Sequence, residues 1–510
     1  MKEQCTSCDK IIENDDDRQY CISHKHEIIP ILESSELTST KPTKNKKIAL
    51  KLKNDKIIKK MKGQIGDYFI ESIVVNDKPH FLCNYLTGNI LCLKESIELE
   101  DKIFKPMEAN QCGYQPYAFT NEEITTLLVQ KLSKEEILDQ IKEQIDKFIN
   151  AREIDKHLII GDIILSYCQE WISTVHYPYF VGDTESGKSS ALHLFKRLGY
   201  RCLYGEDIPN ADIYNFLGTE EEGAGTIAED EAQNLWEYKE KLRTYKNSYC
   251  RGSVKPRIVT TNYSKTQVYY KTFCLKIFAG EKVPQDKGFL ERLAIIHMIQ
   301  GPTQSNIKRL TSREESDLNG LRNKLLVWKV QNFKSGLARI DSGLKQRDQE
   351  LWEDFLSAVH DTKYFEKCKN VVTFYTQQRQ EVVRNSSEAR IFKLITSRLD
   401  KNLEINSLDF WEYITNDNPE LPGRFDDKHG TFYSDDYGKF TKNSLARLLE
   451  DKFQGLRRIR YEKDDSKYHK KTFYVFSPDV VQRLVLKYGV TLSIDSQFYS
   501  GQSGQAHSTN

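Results

Sequence analysis

HYPYFVGDTESGKSSALHLFKRLG, residues 176–199, is the stretch on which the fold turns. Gly182, Gly187, Lys188 and Ser189 fit the spacing G-x-x-x-x-G-K-[ST], in which glycines let consecutive backbone N–H groups turn inward around a phosphate. The lysine of such a loop reaches the terminal phosphates, and the serine hydroxyl suits Mg²⁺. The flanks agree. Tyr177 to Val181 is aromatic and β-branched as a buried strand is, and Ala191, Leu192, Leu194 and Phe195 make a helical apolar face that stops at Gly199. Strand, loop and helix in that order aim a helix N-terminus at the anion. The run Gly182, Asp183, Thr184, Glu185, Ser186, Gly187, Lys188, Ser189 and Ser190 is therefore the expected ATP-binding loop. Asp183 and Glu185 carry the wrong charge for a triphosphate, but the backbone makes the cradle and their side chains can point to water. The alternative is a glycine-containing surface turn.

Hydrolysis needs more than a cradle: a carboxylate near Mg²⁺ and a base that orients water, usually adjacent acids at the end of a buried strand. GAGTIAEDEAQNL, residues 223–235, offers this, with Thr226 to Ala228 as the strand, Asp230 as the Mg²⁺-side acid and Glu231 as the water-orienting base. Glu229 stands where such strands usually keep an apolar residue, so a shift of one place, to Glu229 and Asp230, stays open. A solvated acidic helix start is the bland alternative.

With 510 residues the chain has room for several domains. A net charge of +1 confines any nucleic-acid surface to local patches. The best apolar stretch, HLIIGDIILSYC, is broken by Asp162, and no N-terminal apolar segment is present, so a soluble, cytoplasmic protein is expected. Eleven cysteines in such a chain argue for thiols and metal ligation over a disulfide framework. Cys5-x2-Cys8-x12-Cys21-x2-His24 gives two close ligand pairs across a short loop, which suits a tetrahedral, structural Zn²⁺, with His26 as a substitute fourth ligand.

After the acids come a helix, then KPRIVTTNYSKTQVYYKTF as a basic strand–turn–strand, then CLKIFAGEKVPQDKGFLERLAIIHM. Over roughly residues 155–300 this order resembles a compact AAA+ P-loop ATPase, similar to those of archaeal, plasmid and viral replication proteins and distantly to minichromosome maintenance helicases. The resemblance implies an arginine that reaches a neighbouring subunit's nucleotide, and Arg292 in FLERLAIIHM matches it. It also implies a polar sensor at the tip of the preceding strand. KIFAGEK has no asparagine there, and Asn262, one hairpin earlier, is either that sensor or a turn asparagine. Lys255, Arg257 and Lys265 face a central pore if a ring forms, and otherwise sit on a solvated ribbon.

Near the other end, SEARIFKLITSRL, SLDFWEYI and TKNSLARLLEDKF read as three helices and LRRIRYEKDDSKYHKKTFYVFS as a β-hairpin, similar to a winged helix. In the third helix Leu445, Leu448, Leu449 and Phe453 form the buried stripe and leave Lys442, Asn443 and Arg447 outward. Arg457, Arg458, Arg460, Lys467, Lys470 and Lys471 make the hairpin basic, which suits DNA phosphates; docking of protein is the alternative use.

The expected fold is a multidomain α/β chain: a zinc module at 1–30, a basic linker at 31–62 with ten lysines and one acid in residues 41–62, and a small β-rich domain at 63–120. A helical segment at 121–177, an AAA+ core at 178–300, a helical connector at 301–385, a winged helix at 386–490 and a polar, disordered tail at 491–510 complete it. The expected function is an ATP-hydrolysing, DNA-binding motor of the replicative helicase or initiator type. It would act as a homo-oligomeric ring, a hexamer being one size open to it, with ATP, Mg²⁺ and structural Zn²⁺. A nucleotide-switched DNA-binding regulator and a duplex DNA packaging or transfer pump remain as rivals.

Overall fold

The computed structural model describes residues 57–261, 264–416, 421, 423–426, 428–434, 438–464 and 467–490, with three short strands before them. Cys8, Cys21, His24, His26, Asn262 and the tail 491–510 lie outside the described residues, and Cys5 is described in its backbone alone. Three of the four ligands of the expected zinc module, Cys8, Cys21 and His24, thus lie outside the described residues, and of Cys5 the backbone alone is described.

Residues 1–58 with 98–104, and residues 59–97 with 105–510, make two compact units. In the first, Glu3–Cys5 pairs antiparallel with Ile11–Ile12 and with Ile28–Pro30. The second is mixed α/β.

It opens with an antiparallel meander: β1 (Lys62–Ile65), β2 (Tyr68–Val75), β3 (Lys78–Tyr85) and β4 (Ile90–Lys94), joined by the short β5 (Ala118–Phe119), which runs parallel to β2. Asn76 and Asp77, both at positive φ, form the two-residue turn between β2 and β3, the hairpin geometry that asparagine and aspartate tolerate. Three helices follow. Thr120 caps α1 (Asn121–Val129), Ser133 caps α2 (Lys134–Phe148), and α3 (Glu153–Tyr167) is buried along most of its length. Asp162, which interrupts the apolar run of α3, meets His176 at 2.9 Å, and both are buried. No helix among the described residues is long and apolar enough to cross a membrane.

At the centre lies a five-stranded parallel sheet built from β6 (Tyr177–Val181), β7 (Cys202–Glu206), β8 (Thr226–Asp230), β11 (Lys276–Gly280) and β12 (Leu293–His297), in the order β7-β8-β11-β6-β12. β6, β8 and β11 are buried at every position, as expected for strands covered on both faces. α4 (Lys188–Leu198), α5 (Asn210–Leu217) and α6 (Lys239–Asn247) connect the strands. A two-stranded ribbon, β9 (Val254–Thr261) with β10 (Ser264–Lys271), stands out between α6 and β11.

Three long helices complete this region: α7 (Ser312–Asn332), α8 (Gln346–Val359) and α9 (Phe365–Arg384). One hydrophobic core runs from Phe69 to Tyr375, so the stretches that composition separates at residues 120, 177 and 300 share it. Charges are buried in it too. Lys329 of α7 lies 2.9 Å from Glu71 of β2 and 2.7 Å from Glu170, Lys62 of β1 reaches Glu170 at 2.8 Å, and Arg201 pairs with Glu71. Burial works against an ionised Glu170, yet the Lys329 and Lys62 ammonium groups outweigh it and hold the carboxyl down at about 2.

A second core spans Ala389 to Tyr488. It is built by α10 (Ser387–Thr396), β13 (Glu404–Asn406), α11 (Ser407–Thr415), the small sheet β14 (Gly423–Asp426), β15 (Thr431–Ser434) and β16 (Gly438–Thr441), α12 (Lys442–Arg447), the hairpin β17 (Leu456–Asp464) and β18 (Lys467–Val475), and α13 (Pro478–Tyr488). Leu445, Leu449 and Phe453 are buried, Leu448 is half-buried, and Lys442, Asn443 and Arg447 are exposed. The sheet β14–β16 and helix α13 are additions to the three helices and hairpin expected from the sequence.

Candidate nucleotide site

The loop between β6 and α4 is fixed by its backbone. Gly187 has φ +94° and serves as the N-cap of α4, and a Cβ on Gly182 would lie 2.4 Å from the Met298 carbonyl oxygen and 2.7 Å from Ser186 Oγ. A side chain at either glycine would deform the loop. Lys188, the first residue of α4, donates from Nζ to the carbonyls of Gly182 (2.6 Å) and Asp183 (2.7 Å), which holds its ammonium over the loop. Thr184, Glu185, Ser186, Gly187, Lys188, Ser189 and Ser190 line one side of a cleft of about 470 Å³. The opposite wall comes from Phe148, Ile149, Asn150, Gly301, Thr303, Ser305, Asn306 and Lys308. These the sequence does not announce, because they come from segments on either side of the central sheet.

The acids are sorted by the pleat of β8. Glu229 is in register with Phe278 of β11, which in turn pairs with Tyr179 of β6. Residues opposite each other in a sheet share a face. That face is covered by α6, whose Tyr245 ring lies 5.2 Å from Phe278. Glu229 is 1% exposed and is taken up there by the Lys241 ammonium and the Tyr245 hydroxyl. Burial pushes its carboxyl upward in spite of both partners. Asp230 then faces the other way, toward α4, where Phe195 packs on Phe180 and where the Asp230 charge acts on His193. The alternative register that makes Glu229 a site acid is thus at odds with the geometry, whereas Asp230 lies on the loop helix's face.

Glu231 follows at once with φ +56°, a turn that ends the strand and carries its side chain into solvent. Its carboxylate accepts from Gln233, whose own carbonyl oxygen accepts the Glu281 backbone N–H at 3.2 Å. Glu281, the residue after β11, in turn accepts from the Thr184 hydroxyl at 3.5 Å. Gln233 and Glu281 therefore link the acid strand to the phosphate loop, and the sequence offered one hint of it: Glu281 is the first polar residue beyond the strand lying between the two. Burial, then the nearby Glu231 and Asp230 carboxylates, raise the Tyr179 hydroxyl. Ser189 and Asp230 supply oxygen donors of the kind Mg²⁺ prefers, and the glycine-lined loop fits a phosphate.

Arg292 is not part of this cluster. It precedes Leu293, which pairs with Tyr177 at the start of β6, so it lies at the sheet end remote from the loop. Its guanidinium donates to the Gly288 carbonyl and sits 4.5 Å from the Tyr249 ring, and Arg347 packs on the same ring at 4.4 Å. Burial, then Arg347, lower the Arg292 pKa.

Along β9 the ribbon alternates between half-buried and exposed residues. Lys255 and Arg257 lie on its inner face, the first 3.3 Å from Glu240 and the second over the Tyr214 ring at 4.8 Å. The outer face carries Pro256, Ile258, Lys265 and Tyr269. Of the three cations expected to face a pore, Lys265 alone is on the exposed face.

No family model matches the chain, and no curated protein matches it. Among solved structures it is similar to the NrS-1 C-terminal region in two determinations. One is 13% identical, with 80% of this chain and 96% of that one covered and a TM-score of 0.34. The other is 12% identical with the same coverage and a TM-score of 0.35.

Proposed function

We propose that the chain is an ATP-hydrolysing, DNA-binding AAA+ motor acting as a ring of copies, in the manner of a replicative helicase or initiator. The observation that carries this reading is the sheet order: β11 lies between the loop strand β6 and the acid strand β8, with Asp230 on the face of α4. In this reading Lys188 meets the terminal phosphates, Ser189 and Asp230 hold Mg²⁺, and Glu231 orients the attacking water once Gln233 releases it. Arg292, remote from its own loop, would serve a neighbouring copy. The second core, three helices with a basic hairpin, would be a winged helix holding DNA, and Cys5, Cys8, Cys21 and His24 a structural zinc module.

ATP hydrolysis and strand displacement on a forked DNA, with Lys188→Ala as control, test the reading. The motor releases phosphate in a DNA-stimulated manner and separates the strands, and Lys188→Ala does neither, because the contribution of such a site is largely electrostatic. Hydrolysis without displacement turns the reading toward a regulator or a duplex pump. Absence of nucleotide binding removes it altogether.

A further inference from the structure

The hairpin β17–β18 has two unlike faces. Register puts Arg457, Ile459, Tyr461 and Lys463 on one face with Tyr468, Lys470, Thr472 and Tyr474 opposite them. That face carries three cations and no acid. On the reverse face Arg460 is engaged with Glu404 at 2.7 Å and stacked on Phe473 at 4.8 Å, while Lys471 meets Glu462 at 2.7 Å. Of the cations grouped on the hairpin from sequence, Arg460 and Lys471 are thus engaged within their own chain.

At its base the cationic face is anchored by Tyr474, which is buried and donates to Glu450 at 3.2 Å. Farther out it leaves the core, and Tyr461 and Tyr468 are 67% and 70% exposed, with Ile459 beside them at 46%. Tyrosine rings held in water on a protruding ribbon, between lysines and without acids on that face, are an unusual use of apolar surface. Their register is diagonal: Tyr461 pairs with Lys470, and Tyr468 with Lys463. Diagonal neighbours stand about 7–8 Å apart, roughly twice the ~3.4 Å spacing of stacked bases. One flat base would fill that interval.

We propose that this face binds single-stranded DNA, with Tyr461 and Tyr468 stacking on unpaired bases and Arg457, Lys463 and Lys470 neutralising the adjoining phosphates. Charge complementarity selects a polyanion, and the exposed rings select one whose bases are unstacked, since a duplex shows its backbone and groove edges but not its base faces. The proposal rests on the DNA-binding part of the proposed function and is independent of ATP hydrolysis.

The test uses the full chain, without nucleotide, and a fluorescently labelled oligothymidylate and duplex of equal length, titrated over a range of salt concentrations. For Tyr461→Ala with Tyr468→Ala, affinity for the single strand falls about tenfold per ring, duplex affinity changes little, and the salt slope is kept. Tyr461→Phe with Tyr468→Phe retains binding, because stacking needs the ring and not the hydroxyl. Lys463→Ala with Lys470→Ala instead flattens the salt slope for the single strand. Unchanged single-strand affinity in the alanine pair, with circular dichroism and melting as in the parent, overturns the stacking proposal and leaves the motor reading intact. An equal loss on duplex and single strand also overturns it, and points to backbone contacts alone. A parent protein that binds neither DNA removes the proposal together with the DNA-binding reading.

Discussion

Replacing Glu229 by glutamine separates a buried structural acid from a site acid. Glu229 and Lys241 are 2% and 3% exposed in their side chains, so the pair is held out of water. Removing one partner of such a pair leaves an uncompensated buried charge and typically costs about 3–5 kcal/mol. Glutamine keeps the shape and still accepts from Tyr245, and Lys241 retains Asp207 at 3.0 Å on its solvent side. The expected loss is therefore somewhat below that range, about 2–3 kcal/mol. At roughly 2–4 °C per kcal/mol for a region of this size, melting falls by about 5–10 °C. Glu229→Gln with Lys241→Met restores most of the loss, since apolar replacement of a buried pair is often neutral. Glu231→Gln behaves oppositely: its side chain is exposed, so stability stays within about 0.5 kcal/mol. Nucleotide is still bound, and turnover drops by about 10²-fold or more. Differential scanning calorimetry and phosphate release per folded molecule read both variants. A Glu229→Gln protein that melts like the parent but has lost turnover would refute the assignment of faces on β8.

Arg292→Ala and Lys188→Ala are each expected to be inactive alone and to regain part of the ATPase on mixing, because an arginine acting in trans is worth about 10³-fold or more in rate; mixtures that stay inactive argue against a shared site. Acid unfolding gives a pH test. Glu170 ionises at about 2 when folded against 4.5 when free, so its stabilisation is complete above about pH 4.5 and is lost as pH falls toward 2. Glu170→Gln should flatten that part of the stability curve, as followed by denaturant midpoints, and an unchanged slope excludes Glu170 as its origin. Elemental analysis of protein purified without added metal should find about one Zn²⁺ per chain, and none after Cys5→Ser with Cys8→Ser; zinc retained in that variant rules out those ligands.

The strand, loop and helix from Tyr177 to Leu198 are legible because every signal is local: aromatic strand, glycine spacing and helical apolar period lie within a few turns of chain. Glu229 shows where locality ends. Its role depends on which helix covers which face of β8, and the covering residues Lys241 and Tyr245 become its partners only after α6 has packed. Lys255 and Arg257 illustrate the same point, since a basic ribbon read from sequence gives no sign that Glu240 and Tyr214 claim its inner cations. The strands β14–β16 were hidden for another reason. They are four residues each, and Asp427, Lys428, Gly430, Asp435 and Asp436 between them make the whole stretch read as loop.

The far wall of the nucleotide cleft has a topological consequence. Asn150 lies just before α3, the helix through which the chain runs to the central sheet, and Gly301 just after the chain leaves that sheet, and the two segments already touch: Asn150 Nδ2 donates to the Ile299 carbonyl at 3.2 Å, the Gln304 and Ser305 amides both donate to the Lys147 carbonyl at 3.1 Å, and Lys147 pairs with Glu314 at 2.9 Å. The doorway through which the polypeptide passes in and out is thus the doorpost of the cleft. A ligand lying between that post and the loop at Gly182–Ser190 would latch entrance, exit and centre at once, and anything bound to the folded form alone adds RT ln(1 + [L]/Kd) to its stability. Proteolysis within the central region would then have to wait for the latch to open, so residence time of the ligand and lifetime of the fold become one clock.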